Sequence, residues 1–527
     1  MDEPVPQATH EPADTPSTDA AANQPPVRKT RWPRRSVLTY GATAVGGLAI
    51  GGYAGAGVQR WLDRGQVPPT LSTHGMLDDA SRLNPTPVRG VLFAGNSPES
   101  TRDLLKPLLG RISRGEDPPL AACGVRHSMG GQSMMRDGWV LDMQPLNGIA
   151  VDKASGVMRV GAGVTWRDAI AKLNEAGLAP TVMQSNHDFT IGGSLSVNCH
   201  GWHTNSPPVA DTVRSLRVLT ATGDIVTCSP QENAELFKLT LGGYGMFCVI
   251  LEAELAVVPN VLYEPDFVSV STADYAKVFA ERVYATGSSV EMAYGRLSVD
   301  PHNFLEDALI GTFTPVNDTR GSVLPLTGAL NPELARAIYR NSVGSKAGKT
   351  LRWWVEREIG PWLADKTSRN SILNEPVAVF ANRDEATTDI LHEYFVPQAR
   401  LWDFVRLARD IIRRAGADLM NVTVRDVRRD TRSVLAYARQ DVFGLVISFV
   451  QQRTTDADVR MQAMTRELID AVLSVDGCFY LPYRLHASGS QLRSAYPAWE
   501  TAMQAKAQHD PLGVFRNGLY TTYGRSG

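Results

Sequence analysis

The chain has little cysteine and no excess of charge of either sign. Its five cysteines stand at 123, 199, 228, 248 and 478 among 527 residues, and none forms a C-x-x-C pair. That spacing excludes a disulfide scaffold, a structural zinc knuckle and a thioredoxin-type redox motif. The odd count leaves one thiol unpaired unless it bonds a cofactor or another chain. Fifty-three basic residues face 55 acidic ones, for a net charge of −2. The basic excess of a nucleic-acid binder is absent. Both common nucleotide fingerprints are missing too. Gly161-x-Gly163 has Trp166 where a third glycine belongs, and no G-x-x-x-x-G-K-[ST] occurs. What is present is bulk: 43% hydrophobic and 20% charged residues exclude a wholly disordered or fibrous chain. The length predicts about three ordinary domains or two large ones.

The N-terminus reads as an address. Residues 1–30 are rich in Pro, Ala, Thr, Gln and Asp and bury too little apolar surface to offset their ordering entropy. Arg34-Arg35-Ser36-Val37-Leu38 then opens an uncharged, Gly- and Ala-rich run from Ser36 to Gln59. This resembles a twin-arginine export signal, with Val37 where Phe is commoner. Ala54-x-Ala56 offers a small-residue cleavage site, and the run is also long enough to span a bilayer. Residues 1–60 are therefore expected to be a tail and signal, either cleaved or kept as an anchor. The expected location is extracytoplasmic, in the periplasm or cell envelope. That export route carries folded proteins, which raises the expectation of a redox cofactor.

Residues 120–260 repeat short strand, glycine turn, then helix or strand. Thr165 caps a helix bearing Trp166, Ala169, Ile170 and Leu173 on one face, with Asp168 in capping-box position. Leu216–Leu219 and Ile225–Thr227 form a hairpin around Thr222-Gly223-Asp224, and Met246–Val257 reads as a longer strand. Three loops stand out: Cys123–Gln132, Ile191–Asn198 and Leu241–Gly245. Glycine lets backbone N–H groups approach an anion, and serine adds donors, so a pyrophosphate suits them.

The order G-x-R-H-S-x-x-G-Q, G-A-G-V-T-W, I-G-G-S-L-S-V-N and L-F-x-x-x-L-G-G-Y-G-x-F resembles the FAD-binding domain of the vanillyl-alcohol oxidase / p-cresol methylhydroxylase (PCMH) flavoproteins. One extra glycine, Gly130, precedes Gly131-Gln132 in the first motif. Asp510-Pro511-x-x-x-Phe515-x-Asn517 resembles the closing segment of that family. The resemblance implies an α+β, two-domain PCMH-type fold. An FAD domain over 85–258 would precede a substrate (cap) domain with an antiparallel sheet over 259–480, and 481–527 would return to the FAD domain. It also implies that Gly124, Arg126, Ser128, Gly131, Gln132, Gly192, Gly193, Ser194, Ser196, Asn198, Gly243, Gly245, Val249 and Asn517 hold FAD. His127 matches the histidine bonded to the flavin 8α-methyl group, so covalent FAD is implied. No cysteine precedes Ile191-Gly192-Gly193 to make a second link. His200 and His203, in His200-Gly201-Trp202-His203, lack the companions a metal site needs and read instead as a loop beside the flavin ring.

Residues 260–480 carry amphipathic helices, such as Phe404–Arg414 with Phe404, Leu407, Ala408, Ile411 and Ile412 on one face, and Glu467–Leu473. Asn421–Val427 and Leu445–Gln451 read as strands. Glu393-Tyr394-x-Val396-Pro397 is similar to the sugar-oxidising branch: aldonolactone (D-arabinono-1,4-lactone), alditol and decaprenylphosphoryl-ribose oxidases. Arg425 matches the arginine of that branch's E-x-R strand, and Thr423 replaces its glutamate. In Leu481–His486, Arg484 and His486 stand where relatives carry a lysine and often a histidine. The resemblance implies oxidation of CH–OH in a sugar-like small-molecule alcohol, with hydride transfer to flavin N5. Arg425 and Arg484 would stabilise charge, His486 would take the proton, and Glu393 and Thr423 would contact substrate. Oxygen, a quinone or a cytochrome would accept the electrons. The other readings are a non-catalytic flavin-fold binding protein, or an oxidase of a lipid-linked sugar or aromatic alcohol. Membrane association would come through the N-terminal segment. Lys349–Lys366, with Trp353, Trp354 and Trp362, reads as a cap helix whose tryptophans pack inward, the alternative being a basic, Trp-bearing helix that lies on a membrane.

Overall fold

A computed structural model describes residues 75–327 and 332–524. The expected export signal, cleavage site and anchor run lie outside these residues. Among the described residues, no helix is long and apolar enough to cross a membrane.

Three larger sheets organise the described residues, beside a two-stranded one of Met76–Leu77 and Thr86–Pro87. The first is parallel and three-stranded, with Trp139–Asp142 between Gly90–Phe93 and Leu120–Cys123. The second is antiparallel, in the order Ile225–Cys228, Val213–Leu219, Val249–Pro259, Val157–Gly161 and Ile149–Asp152. Leu178–Pro180 adds to the long Val249–Pro259 strand. The third holds eight antiparallel strands: Thr367–Ser368, Leu262–Ser271, Asp307–Pro315, Met292–Leu297, Asp418–Val427, Val442–Gln452, Thr387–Pro397 and Cys478–Phe479. The chain leaves the second sheet at Pro259 and enters the third at Leu262. After the third sheet it goes back to the first: Leu120 N donates to Val514 O at 2.8 Å, and Arg516 N to Leu120 O at 3.0 Å. This is the two-domain α+β arrangement with an antiparallel second sheet system.

Local signals explain most elements. Thr165 caps the Trp166–Glu175 helix, accepting from Asp168 N, and that helix buries Trp166, Ala169, Ile170 and Leu173. The Leu401–Ala415 helix stops at Gly416, whose φ of 62° is the left-handed conformation a helix end favours. It buries Phe404, Val405, Ala408 and Ile412, while Leu407 points outward, contrary to the expected face. Ile191–Val197, expected as a loop, is a short helix capped by Thr190. The strand expected from Met246 starts at Val249, because Gly242 and Gly245 turn with positive φ just before it. All five cysteines are buried and unbonded, which accounts for the odd count. Burial pushes the thiols of Cys123, Cys199, Cys248 and Cys478 up to about 12, so they stay protonated.

Candidate active site

The glycine loops do two jobs. Gly124, Gly192 and Gly243 let the chain approach itself. A Cβ there would stand 2.0 Å from Thr190 Oγ1, 2.8 Å from Ala162 O and 1.9 Å from Leu239 O. Gly131 and Gly245 are open instead: a Cβ on Gly245 would meet nothing within 4 Å, and one on Gly131 nothing nearer than 3.9 Å. Gly193 is intermediate, exposed but with Thr190 Oγ1 3.0 Å from where its Cβ would stand. Gly131 and Gly245 leave room for a ligand against bare backbone.

The polar residues divide the same way. Gln132 accepts from Gly130 N at 2.9 Å and donates to Leu481 O and Tyr483 O, which ties its loop to the C-terminal segment. Ser194 accepts from Trp166 Nε1 at 2.9 Å and donates to Gln184 Oε1 at 3.0 Å. Asn198 takes the left-handed conformation, donates to Asp430 at 2.9 Å and accepts from Ala210 N. Asn517 donates to Tyr244 O at 2.6 Å and caps the last helix. These four side chains hold the loops in shape, and Val249 lies in the core. Ser128 and Ser196 remain partly open, and Arg126 sits at a φ of 54° in the first loop. His127, next to it, has its ring 4.5 Å from that of Phe189. Burial holds the imidazole down to about 4, so it is neutral and nucleophilic near pH 7.

Opposite these loops lies one face of the eight-stranded sheet. Register aligns its residues in rows. Glu393 and Thr423 both pair with Val446, and Thr423 pairs with Arg296. In the next row Phe395 and Arg425 both pair with Gly444. Alternation along the strands turns these side chains to one side. Arg425 donates to Ser185 Oγ at 2.9 Å and His200 O at 3.2 Å. His200 Nε2 stands 2.7 Å from Glu393 Oε1, and both side chains are almost completely buried. Tyr483 Oη donates to Glu393 Oε2 at 3.2 Å. Gly444 makes room for this group, since a Cβ there would come within 3.1 Å of His200 Cε1 and of the Phe395 ring.

The electrostatics of this cluster are sharply divided. Burial lowers the His200 pKa and Arg425 adds to that, against the opposing pull of Glu393, so the ring is neutral. Burial by itself would raise Glu393, but His200, Arg425 and the Tyr483 hydroxyl outweigh it and keep the carboxylate ionised. A neutral imidazole beside an ionised carboxylate can accept a proton, and the carboxylate can balance the charge it gains.

Thr423 accepts from Arg296 at 3.1 Å and from Asn421 Nδ2 at 3.1 Å. Arg296 in turn pairs with Glu356 at 3.1 Å. The strand position without a glutamate therefore has a carboxylate close by, carried on the wide helical turn Val355–Ile359. Sequence reasoning missed Arg296, Glu356 and Tyr483, and did not pair His200 with Glu393. Only the His200–His203 motif signalled any of them.

Arg484 and His486 lie elsewhere. Along Leu481–His486, Tyr483 turns to Glu393, whereas the other two meet the Thr455–Leu473 helix on the opposite face of the sheet. Arg484 binds Asp458 at 2.6 Å and Asn84 at 2.6 Å. His486 Nδ1 is 3.0 Å from Thr465 Oγ1, which also faces His392 at 3.4 Å. These residues clamp helix to loop, and the structure does not bring them to the Arg425 cluster.

The cluster fits a flavin. Both ring nitrogens of His200 and of His203, Trp202 Nε1, Glu393 Oε1 and Arg425 Nε are buried without a well-aligned hydrogen-bond partner. The close His200–Glu393 contact is off the hydrogen-bond axis. Buried polar atoms need partners, and a planar heterocycle with ring nitrogens and carbonyls supplies them. Among the described residues, no three His, Cys, Asp or Glu side chains gather to hold a metal.

Comparison with known proteins supports FAD binding. Residues 98–229 match the family described as FAD binding domain. Cytokinin dehydrogenase 3 of Arabidopsis thaliana is 27% identical over 434 residues, covering 76% of this chain and 80% of that protein. Cytokinin dehydrogenase 1 of Oryza sativa subsp. japonica is 25% identical over 472 residues, covering 81% and 86%. An uncharacterized oxidoreductase from the fasciation locus of Rhodococcoides fascians is 35% identical over 159 residues, covering 30% and 36%.

Proposed function

We propose that this chain, an FAD-dependent oxidoreductase, oxidises a CH–OH group of a sugar-like substrate, with His200 as the base and Glu393 as its orienting carboxylate. The observation that carries the reading is the buried His200–Glu393 pair, 2.7 Å apart, beside Arg425. An alcohol needs its O–H proton removed as its carbon gives up hydride, and an oriented neutral imidazole answers that need. Bound FAD supplies the hydride acceptor. Glu393 favours the Nε2–H form of His200, which leaves Nδ1 to take the hydroxyl proton. Glu393 then balances the imidazolium charge, and Arg425 stabilises negative charge developing on the substrate oxygen. The Glu393-Tyr394-x-Val396-Pro397 resemblance to sugar-oxidising flavoproteins supports the same substrate class.

The proposal includes a covalent bond from His127 to the flavin, supported by its neutral ring in the first loop. It also includes twin-arginine export on the strength of Arg34-Arg35, and oxygen, a quinone or a cytochrome as acceptor. A second reading is dehydrogenation of a cytokinin, which the names of the relatives favour.

The test is anaerobic bleaching of the purified yellow protein by polyols, aldonolactones, aromatic alcohols and cytokinins. Bleaching by a polyol or lactone supports the proposal. Bleaching by cytokinins alone replaces it with the second reading. No bleaching by any class favours a non-catalytic flavin-fold binder, and a colourless protein refutes the flavin reading.

A further inference from the structure

The helices Lys346–Trp354 and Gly360–Leu363 are joined by the wide turn Val355–Ile359 into one segment with two faces. Its inner face is held firmly. Arg352 is buried, donating to Met420 O, to Ser342 Oγ at 3.0 Å and to Glu356 at 3.0 Å. Trp353 packs inward at 3% exposure. Glu356, on the same side, reaches the Arg296–Thr423 pair of the active site.

The outer face is apolar and open. Leu351 is 44% exposed, Trp354 49%, Trp362 40% and Leu363 57%. Only one of the segment's three tryptophans packs inward, contrary to the sequence expectation. Leu351 and Trp354 are three apart and share a helix face. The i→i+5 turn that follows holds more residues than an α-turn, which brings Trp362 and Leu363 round to that side. Single exposed apolar side chains are ordinary on a protein surface, but four on one arc of one short segment are not.

The charges around this arc point to one partner. Arg357 pairs with Glu358 and Asp307, and Lys349 pairs with Asp418. Among the described contacts, Lys346 and Lys366, at the two ends of the segment, enter no ion pair. The uncompensated charges are therefore cationic, next to two half-exposed indoles whose polar N–H suits a wet interface. Indoles and leucines on one side with lysines at the margins match the headgroup zone of an anionic bilayer.

We propose that Lys346–Lys366 is a membrane-docking face, which seats Leu351, Trp354, Trp362 and Leu363 in the headgroup region of an anionic lipid surface. The inference is independent of the substrate. Because Glu356 lies on the inner face of the same segment, docking holds the segment against the active-site sheet from outside.

The test uses the flavin-loaded full chain and vesicles of phosphatidylcholine and phosphatidylglycerol with brominated acyl chains, which quench indole emission at shallow depth. The emission difference between the native chain and the Trp354→Phe/Trp362→Phe variant isolates these two rings from those nearer the N-terminus. Quenching of that difference by vesicles is expected. Lys346→Glu/Lys366→Glu should require at least about thirtyfold more lipid for half-quenching when phosphatidylglycerol is present, and no more when it is absent. Three results overturn the proposal. The protein fails to sediment with vesicles; or it sediments while the difference emission stays unquenched, so that another segment holds the bilayer. The third is a lipid-free dimer, seen by sedimentation velocity, that Trp354→Ser/Trp362→Ser dissolves, since a second copy then covers the face.

Discussion

Replacing Glu393 with Gln isolates the role of the carboxylate in the His200 dyad. The amide keeps the shape and can still accept from Tyr483, but the charge beside His200 is gone. In the ground state little is lost at the ring, because His200 is already neutral. The loss falls on the transition state, where the ring becomes an imidazolium 2.7 Å from the carboxylate. Two unit charges at that distance attract by about 6 kcal/mol at an effective dielectric constant of about 20, which sets a ceiling. Removing a general base costs about 10²- to 10⁴-fold. A fall of about 10³-fold in the anaerobic flavin-reduction rate, or about 4 kcal/mol, is the expected result with a substrate that bleaches the native enzyme. The pH profile gives a second readout. Glu393 raises the His200 pKa, so Glu393→Gln should move the acid limb of the rate profile to lower pH. A rate within tenfold of native, with an unchanged flavin spectrum and an unmoved limb, would refute the dyad as the base.

Other outcomes follow from the same geometry. His127→Ala should purify with flavin that washes out on acid precipitation, leaving a white pellet; a yellow pellet would remove the covalent bond from the reading. Asp510→Asn breaks a buried pair with Lys506 and weakens acceptance from Val514 N and Phe515 N, both at 2.8 Å. Breaking such a pair costs about 3–5 kcal/mol, so thermal unfolding should begin markedly earlier, and an unchanged melting curve would contradict the docking role of the C-terminal segment. Acid should also destabilise the fold through a buried neutral histidine. His392 is held down to about 3 by burial, so its contribution is complete above about 6.5, the unfolded value. It is lost progressively as pH falls from there toward the folded value, because the unfolded chain binds the proton first. Urea midpoints that stay flat between neutral and mildly acidic pH would contradict this.

Much of the flavin half was legible because its signals are local. Thr165 announced its helix, and the glycine loops fell beside strands as their turns require. The limits of legibility were local too. Ile191–Asn198 contains two glycines and reads as a loop, yet Thr190 caps it into a helix. The same glycines look alike in sequence, although Gly192 is buried against Ala162 and Gly193 is exposed, with only Thr190 Oγ1 near its missing Cβ. The proposed site was harder. Arg425 was visible through the E-x-R resemblance, but Arg484 and His486 lie away from it because nothing in Leu481–His486 says which neighbour faces the sheet. Tyr483 took the inward position, and its neighbours went to the Thr455–Leu473 helix.

By itself the sequence determined the flavin-type loops, the switch near residue 260 from one sheet system to the next, and the closing segment at Asp510. The loops depend on turn chemistry over a few residues, whereas the switch and the closing segment were read from the resemblance to the PCMH flavoproteins. Only the tertiary structure decided that His200 meets Glu393, that Glu356 stands near Thr423, and that Trp354 and Trp362 face outward. These pairings join elements far apart in the chain through strand register and helix phase. A contact of that kind is a property of packing, and no short stretch of residues encodes it.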